Sequence, residues 1–266
     1  MTLAELSRLL SVGGVPDPDT DARLQISHLF GVSSAALYAD RERSYESDAL
    51  RLAVKRRLAR EPLQYILGEA AFFEELYEVS PDCLIPRADT ELLVEKAIAL
   101  LPSGAHFADL GTGSGCVAIS VLAHRGDLSA AALDVSESAL ALATRNAEKN
   151  GVSDRYTPIL SDMRAPLPAS AGNVTAILSN PPYIAAAVVD TLERELFFEP
   201  RLALDGGDDG LDFYRAILDT HKVSLYLFEI GFDQGAALTA LAQERGLFCE
   251  IFKDLGGRDR VAVIKS

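Results

Sequence analysis

The chain has 266 residues, with 39 acidic against 25 basic side chains and a formal net charge of −14. That length holds one full α/β domain plus a smaller partner, and the acidic balance argues against tight, phosphate-driven binding to nucleic acid. The longest apolar stretches fall short of a membrane span, and the opening Met1-Thr2-Leu3-Ala4-Glu5 lacks the basic-then-apolar signature of a secretory signal.

The first 65 or so residues read as helices. Thr2-Leu3-Ala4-Glu5 is a capping box opening a helix with Leu3, Leu6, Leu9 and Leu10 on one side. A second helix, from near Asp21, carries Leu24, Ile26, Leu29 and Phe30 and stops at Gly31. A third runs from near Glu46 to just before Pro62. On it Lys55, Arg56 and Arg57 join Arg51 and Arg60 at helical spacing, as a solvated face or a local docking patch for an anionic partner.

Ala71-Phe72-Phe73 and Leu76-Tyr77-Glu78-Val79 read as a short hairpin joined by Glu74-Glu75. Leu84-Ile85-Pro86-Arg87 then leads into a helix capped near Asp89 or Thr90. Beyond it strand and helix alternate. The strand candidates are His106–Leu110, Ala130–Leu133, Tyr156–Leu160, Val174–Leu178, Leu225–Ile230, Leu247–Lys253 and Arg260–Ile264. Helices fit between most of them, notably Glu137–Asn150 and Asp233–Arg245. That is a doubly wound, mostly parallel sheet. The last two strands are joined only by a short Gly256-Gly257 connection, so they are expected to pair antiparallel. The expected division is residues 1–68 as a helical substrate-docking domain, 69–90 as hairpin and linker, and 91–266 as the α/β domain. Cys83, Cys116 and Cys249 have no CxxC spacing and no partner histidines, and read as buried thiols of a cytoplasmic protein with no metal site. Nothing indicates an oligomer, so a monomer is expected.

Two strand ends carry the chemistry. Asp109-Leu110-Gly111-Thr112-Gly113-Ser114-Gly115 follows one strand and opens a helix. Its glycines permit a sharp turn close to a ligand. Position 116 is Cys, so the dinucleotide fingerprint G-x-G-x-x-G fails, and no Gly-Lys-Ser/Thr follows to make a P-loop. Asp134 ends the next strand, where a carboxylate can accept both ribose hydroxyls of an adenosine, and Asp162 follows the one after. Asn180-Pro181-Pro182-Tyr183 follows the apolar run Val174–Leu178. Two prolines remove two backbone donors and leave carbonyls that only accept. With the Asn180 amide and the Tyr183 ring they form an acceptor-rich slot for a flat NH2 group, as methylation of an amide or a base nitrogen requires.

The glycine loop resembles that of S-adenosylmethionine sites, and the sheet with its terminal hairpin resembles class I methyltransferases. On that resemblance Gly111, Thr112, Gly113, Ser114, Gly115, Asp134, Asp162, Met163 and Asn180 are the expected contacts to S-adenosylmethionine. Asn180 and Pro181 would each accept one N–H of the target and aim its nitrogen at the sulfonium methyl, Tyr183 would hold the amide plane by stacking, and Pro182 completes the slot. No strong general base is needed, and His28, His106, His124 and His221 read as structural or exposed.

Over essentially its whole length the chain resembles the protein-(glutamine-N5) methyltransferases of peptide chain release factors, the PrmC/HemK family. The helical part matches by pattern only. Elsewhere the family-like segments include Glu61-Pro62 with Gly68, Leu84-Ile85-Pro86-Arg87 with Thr90-Glu91, and Glu199-Pro200. Others are Ala203-Leu204 with Gly206-Gly207, Asp209-Gly210-Leu211, Glu229-Ile230-Gly231, and Asp254-Leu255-Gly256 with Asp259-Arg260-Val261. The implied substrate is the glutamine of the Gly-Gly-Gln loop of release factors. Two positions depart from the pattern: Ala88 where the family usually has proline, and Met163 where many members carry tryptophan. The stretch Asp205–Asp212 lacks EF-hand spacing and reads as a polar loop near the substrate mouth. The slot also suits adenine, so an N6-adenine methyltransferase of DNA or RNA is the first alternative, against which the acidic balance weighs. Glutamine methylation of a ribosomal protein, or a non-catalytic module that binds the cofactor and docks partners, are the others.

Overall fold

The computed structural model describes all 266 residues, Met1 to Ser266. The chain divides into two compact units, Met1–Glu69 with Glu193–Phe198, and Ala70–Leu192 with Glu199–Ser266.

The first unit is helical: α1 (Leu3–Val12), α2 (Pro18–Phe30), α3 (Ser34–Ala39), α4 (Asp48–Leu58) and α5 (Leu63–Leu67). The Thr2 capping box is formed, its hydroxyl accepting from the Glu5 N–H while Glu5 accepts from the Thr2 N–H. Helix α2 starts at Pro18, earlier than expected, because proline suits the first turn. It ends at Gly31 in the left-handed region (φ 62°). Helices α3 and α5 were not anticipated, being too short for a periodic apolar face. Leu6, Leu10, Ala22, Ile26, Leu37, Leu50 and Val54 form this unit's core. Most of the basic cluster on α4 is neutralised within the same unit. Arg51 pairs with Glu46, Arg56 with Glu61, Arg57 with Asp21 (2.5 Å) and Glu195, and Arg60 with Glu195 (2.7 Å). Glu195 is thus what binds Glu193–Phe198 into this unit.

The second unit opens within the hairpin of β1 (Glu69–Phe72) and β2 (Glu75–Glu78), from Ala70 onward. Its turn is Phe73-Glu74 rather than Glu74-Glu75. Phe73 takes φ 55°, held by its N–H to Glu91 (2.9 Å) and by its ring edge-on to His124. A 3₁₀ turn, Ala88–Thr90, precedes α6 (Glu91–Leu100), and neither Asp89 nor Thr90 caps that helix through its side chain. The Thr90 hydroxyl is spent elsewhere, as described below.

The sheet comprises β3 (His106–Leu110), β4 (Ser129–Asp134), β5 (Tyr156–Leu160), β6 (Ala176–Ser179), β7 (Leu225–Glu229), β8 (Phe248–Lys253) and β9 (Asp259–Lys265), in the order β5-β4-β3-β6-β7-β9-β8. The first five are parallel, and β9 lies antiparallel between β7 and β8. The crossovers carry α7 (Cys116–His124), α8 (Glu137–Lys149), α9 (Ala186–Val189), α10 (Asp212–Thr220) and α11 (Gly235–Gln243). Both faces of the sheet are covered, so β3, β6 and β7 are buried almost throughout and mostly apolar. One core cluster packs α6 and α7 against Phe107, Ala130 and Leu178; the other packs α10 and α11 against Ala108, Ile177 and Phe228. The strand order reverses between β3 and its neighbours β4 and β6, which is where an open α/β sheet binds its ligand.

Candidate active site

At that reversal the C-terminal ends of β3, β4, β5 and β6 border one cavity of about 350 Å³. The glycine loop forms its floor. Gly111 and Thr112 donate their N–H groups to the Leu133 carbonyl, tying the loop to β4. Gly111 takes a positive φ (73°), which favours glycine, and the flexible end of Met163 packs over it, its Cε 2.5 Å from where a Cβ would stand. Asp109, 2% exposed, accepts the Thr112 hydroxyl (2.7 Å) and the Ala118 N–H (3.3 Å), bracing the loop from below. Burial pushes its carboxyl up to about 6 against those two bonds.

Asp134 stands at the end of β4, its two oxygens accepting the N–H groups of Gly113 and Ser136, each at 2.9 Å. Asp162 follows β5 and lines the same cavity, its carboxylate forked by Arg164, whose hydrogen bonds hold it below the usual range. Arg87, the other arginine on the wall, is paired with the buried Glu199. Glu199 also accepts the Ile85 N–H (3.0 Å), fixing the Leu84-Ile85-Pro86-Arg87 segment along the cavity. With both guanidiniums matched, Asp82, Asp109 and Asp134 leave a net negative lining around mostly apolar walls. Such a cavity suits a cationic ligand with an aromatic part. S-adenosylmethionine, a sulfonium joined to an adenosine, has that character.

The motif after β6 is held from several sides. The Ser179 hydroxyl donates to the Leu110 carbonyl (2.6 Å), locking the end of β6 to the end of β3. Gln234 donates to the carbonyls of Tyr183 (3.0 Å) and Gly210 (3.2 Å). The loop Asp205–Leu211 packs on the motif backbone: Gly206 donates to the Ile184 carbonyl, and Ala186 donates to that of Gly207, both at 2.8 Å. Asn180 and Pro182 line the cavity; Pro181 is buried, and Tyr183 turns its hydroxyl inward to Glu229 (3.2 Å). The structure therefore gathers Gly111, Thr112, Gly113, Ser114, Asp134, Asp162, Met163, Asn180 and Pro182 around one space. Gly115, Pro181 and Tyr183 stand outside its lining, Gly115 serving α7, where a Cβ would strike Ile119.

Sequence reasoning gave Thr90 no role beyond that of a candidate helix cap and gave Glu229 none, although both lie in segments that stood out. The Asn180 amide nitrogen donates to Thr90 (3.2 Å), and Thr90 donates to Glu229 (2.5 Å). The three residues come from separate parts of the chain, and no local pattern connects them.

The sheet order and the ligand cavity define a class I methyltransferase. Comparison with known proteins narrows this. A family model described as the PrmC N-terminal domain matches residues 2–68, and one described as the methyltransferase small domain matches residues 88–208. The release factor glutamine methyltransferase of Moorella thermoacetica is 37% identical over 97% of this chain and 95% of its own. That of Cereibacter sphaeroides is 39% identical over 95% of this chain and 92% of its own. Among solved structures, the hMettl16 catalytic domain in complex with a MAT2A 3′UTR hairpin superposes with a TM-score of 0.57 at 17% identity. It covers 83% of this chain and 82% of that one, a likeness of fold alone. The chain belongs to the release factor glutamine methyltransferase family.

Proposed function

We propose that this chain transfers a methyl group from S-adenosylmethionine to the side-chain amide nitrogen (N5) of the glutamine in the Gly-Gly-Gln motif of peptide chain release factors. The observation that carries the reading is the position of Asn180. It stands on the wall of the acid-lined cavity, and its amide nitrogen is already committed to Thr90. Its Oδ1 is thereby left as an acceptor for a substrate N–H. The second acceptor in this reading is the Pro181 carbonyl, which takes no hydrogen bond from the protein, although Pro181 is buried behind the cavity lining.

An amide nitrogen is a weak nucleophile because its lone pair is delocalised into the carbonyl. Two acceptors placed on its two hydrogens favour the pyramidal, cationic geometry reached as the new N–C bond forms. When bound, S-adenosylmethionine would supply an activated methyl carbon, with the electron pair of the broken S–C bond going back to sulfur. The N-methylated amide then sheds its proton to solvent, so no buried base is required. Most of the acceleration comes from alignment, an effective-molarity gain that reaches roughly 7 kcal/mol or more. Identity to the named relatives over nearly the whole chain supports glutamine over adenine as the target, as does the net charge of −14.

The test is methyl transfer from labelled S-adenosylmethionine to a release factor, its Gly-Gly-Gln variant with glutamine replaced by alanine, a ribosomal protein set and duplex DNA. Label on the release factor, lost in the variant, is the expected result. Label on DNA or on ribosomal proteins alone overturns the assignment of substrate.

A further inference from the structure

Glu229 ends β7, next in the chain after the Phe228 that pairs with Ser179 of β6. Its carboxylate is 1% exposed and accepts two hydroxyls, from Thr90 at 2.5 Å and from Tyr183 at 3.2 Å. Thr90 is 2% exposed, and its hydroxyl owns a single proton. With that proton given to Glu229, Thr90 Oγ1 can only accept, and its donor is Asn180 Nδ2 at 3.2 Å. The two ends of an asparagine amide are nearly the same size, and the surrounding network decides which way it faces.

We propose that Glu229 and Thr90 are positioning residues that fix the flip of the Asn180 amide, so that Oδ1 rather than Nδ2 meets the substrate. This rests on Asn180 acting as an acceptor for the substrate amide, as argued above. A flipped Asn180 would set a donor against the substrate's own donor. The direction of the relay depends on an ionised Glu229. When the carboxylate takes up a proton it can donate to Thr90, whose hydroxyl is then free to donate to Asn180 and reverse the flip. The groups facing Glu229 are Asp89 and Thr90 from the 3₁₀ turn, Tyr183 from the motif, Cys116 from α7, Tyr214 from α10 and Arg260 from β9. Tyr214 donates to the Glu229 backbone carbonyl (2.7 Å), and Arg260 is shared with Asp89 (3.2 Å) and Asp254. Burial outweighs the Thr90, Tyr183 and Arg260 contributions and places the carboxyl at about 7. The relay is therefore intact above that pH and lost as pH falls through it.

The experiment uses the full chain as wild type, Thr90→Val, Thr90→Ser, Glu229→Gln, Asn180→Ala and the Asn180→Ala/Thr90→Val double variant. Each is assayed for transfer to a release factor across pH, with donor affinity measured by calorimetry as the check on folding. Thr90→Val, isosteric without the hydroxyl, is expected to lose about tenfold or more in kcat with donor affinity retained, and Thr90→Ser to recover most of it. Thr90→Val is expected to add nothing to Asn180→Ala, because the relay acts only through that amide. The wild-type acid limb near pH 7 should vanish in Glu229→Gln. A fully active Thr90→Val, additive losses in the double variant, or an acid limb that survives in Glu229→Gln each overturns the relay alone. Full activity of Asn180→Ala overturns the acceptor reading of the motif as well. A readout without turnover separates the two. The Asn180 side-chain amide resonances of the wild type should titrate with a midpoint near 7 and stay flat in Glu229→Gln, and a flat wild-type response sinks the relay whatever the substrate is.

Discussion

Asn180 and Asp134 face one cavity with separable duties, and substitution should part them. Removing the Asn180 amide deletes one preorganised contact to developing charge, a loss on the order of 100-fold in turnover, about 2.7 kcal/mol. Donor binding should largely survive, so calorimetry with S-adenosylmethionine beside single-turnover rates is the check, and an active Asn180→Ala enzyme refutes the role. Asp134→Ala should do the reverse, weakening the donor through the lost carboxylate and through release of the Gly113 and Ser136 N–H groups it holds. Met163 is the subtler case. Its Cε fills the space where Gly111 would carry a Cβ, so it packs directly on the glycine loop. Where the family resemblance leads one to expect an indole, this chain has a thioether, which is softer and smaller. Truncation to alanine should lower donor affinity by loosening that packing, and an unchanged dissociation constant would show that the position has no part in the cofactor site.

The Asp205–Leu211 loop buttresses the motif rather than merely bordering it. A Cβ on Gly210 would lie 2.2 Å from the Tyr183 carbonyl oxygen, and the residue sits at φ 75°. Gly210→Ala therefore has to displace the motif backbone or the loop, a change expected to cost roughly 1–3 kcal/mol of stability. Turnover should fall with the melting temperature, since Tyr183 moves with its carbonyl. A variant with wild-type rate and stability would mean that the close approach is not maintained in solution. This contact also marks what the sequence discloses. The strand His106–Leu110 was legible to the residue, because burial keeps Phe107, Ala108 and Leu110 apolar and the glycine loop punctuates its end. The edge strand Tyr156–Leu160, with Thr157, Pro158 and Leu160 exposed, was marked instead by the Ser161-Asp162 that closes it. The turn at Phe73 was not legible, because a bulky residue at positive φ is stabilised by Glu91 and His124, neither of them a neighbour in sequence. Thr90 looked like a helix cap for the ordinary reason that threonine often is one. Its actual partner, Glu229, lies 139 residues away, and a pairing at that range leaves no local trace.

For the whole molecule, buried acids should govern the response to pH. Burial raises Asp109 to about 6 and Glu229 to about 7, and moves Asp21 and Glu199 in the same direction. Unfolded carboxyls titrate near about 4. Between that value and the raised ones the folded chain binds more protons than the unfolded chain, so these groups make stability fall as pH rises through the window. Lowered groups work the other way. Asp209, held at about 2 by Arg215, and Asp162, Asp219 and Asp254 contribute stability above about 4 that is lost only on acidification below it. They lie towards the surface, where solvent and salt screen them. Self-repulsion of a chain at −14 adds to the fall, because it grows as the remaining carboxyls ionise. The melting temperature should accordingly be higher at pH 5.5 than at pH 8, with the window set by Asp109 and Glu229. Added salt should narrow the difference without closing it, since screening reaches the surface repulsion and not the buried pair. Glu229→Gln should narrow it further by removing one raised carboxyl. Calorimetric scans at two salt concentrations decide the matter: a melting temperature that climbs steadily from pH 5.5 to 8 would mean that Asp109 and Glu229 hold no proton in this window, with Glu229 ionised throughout.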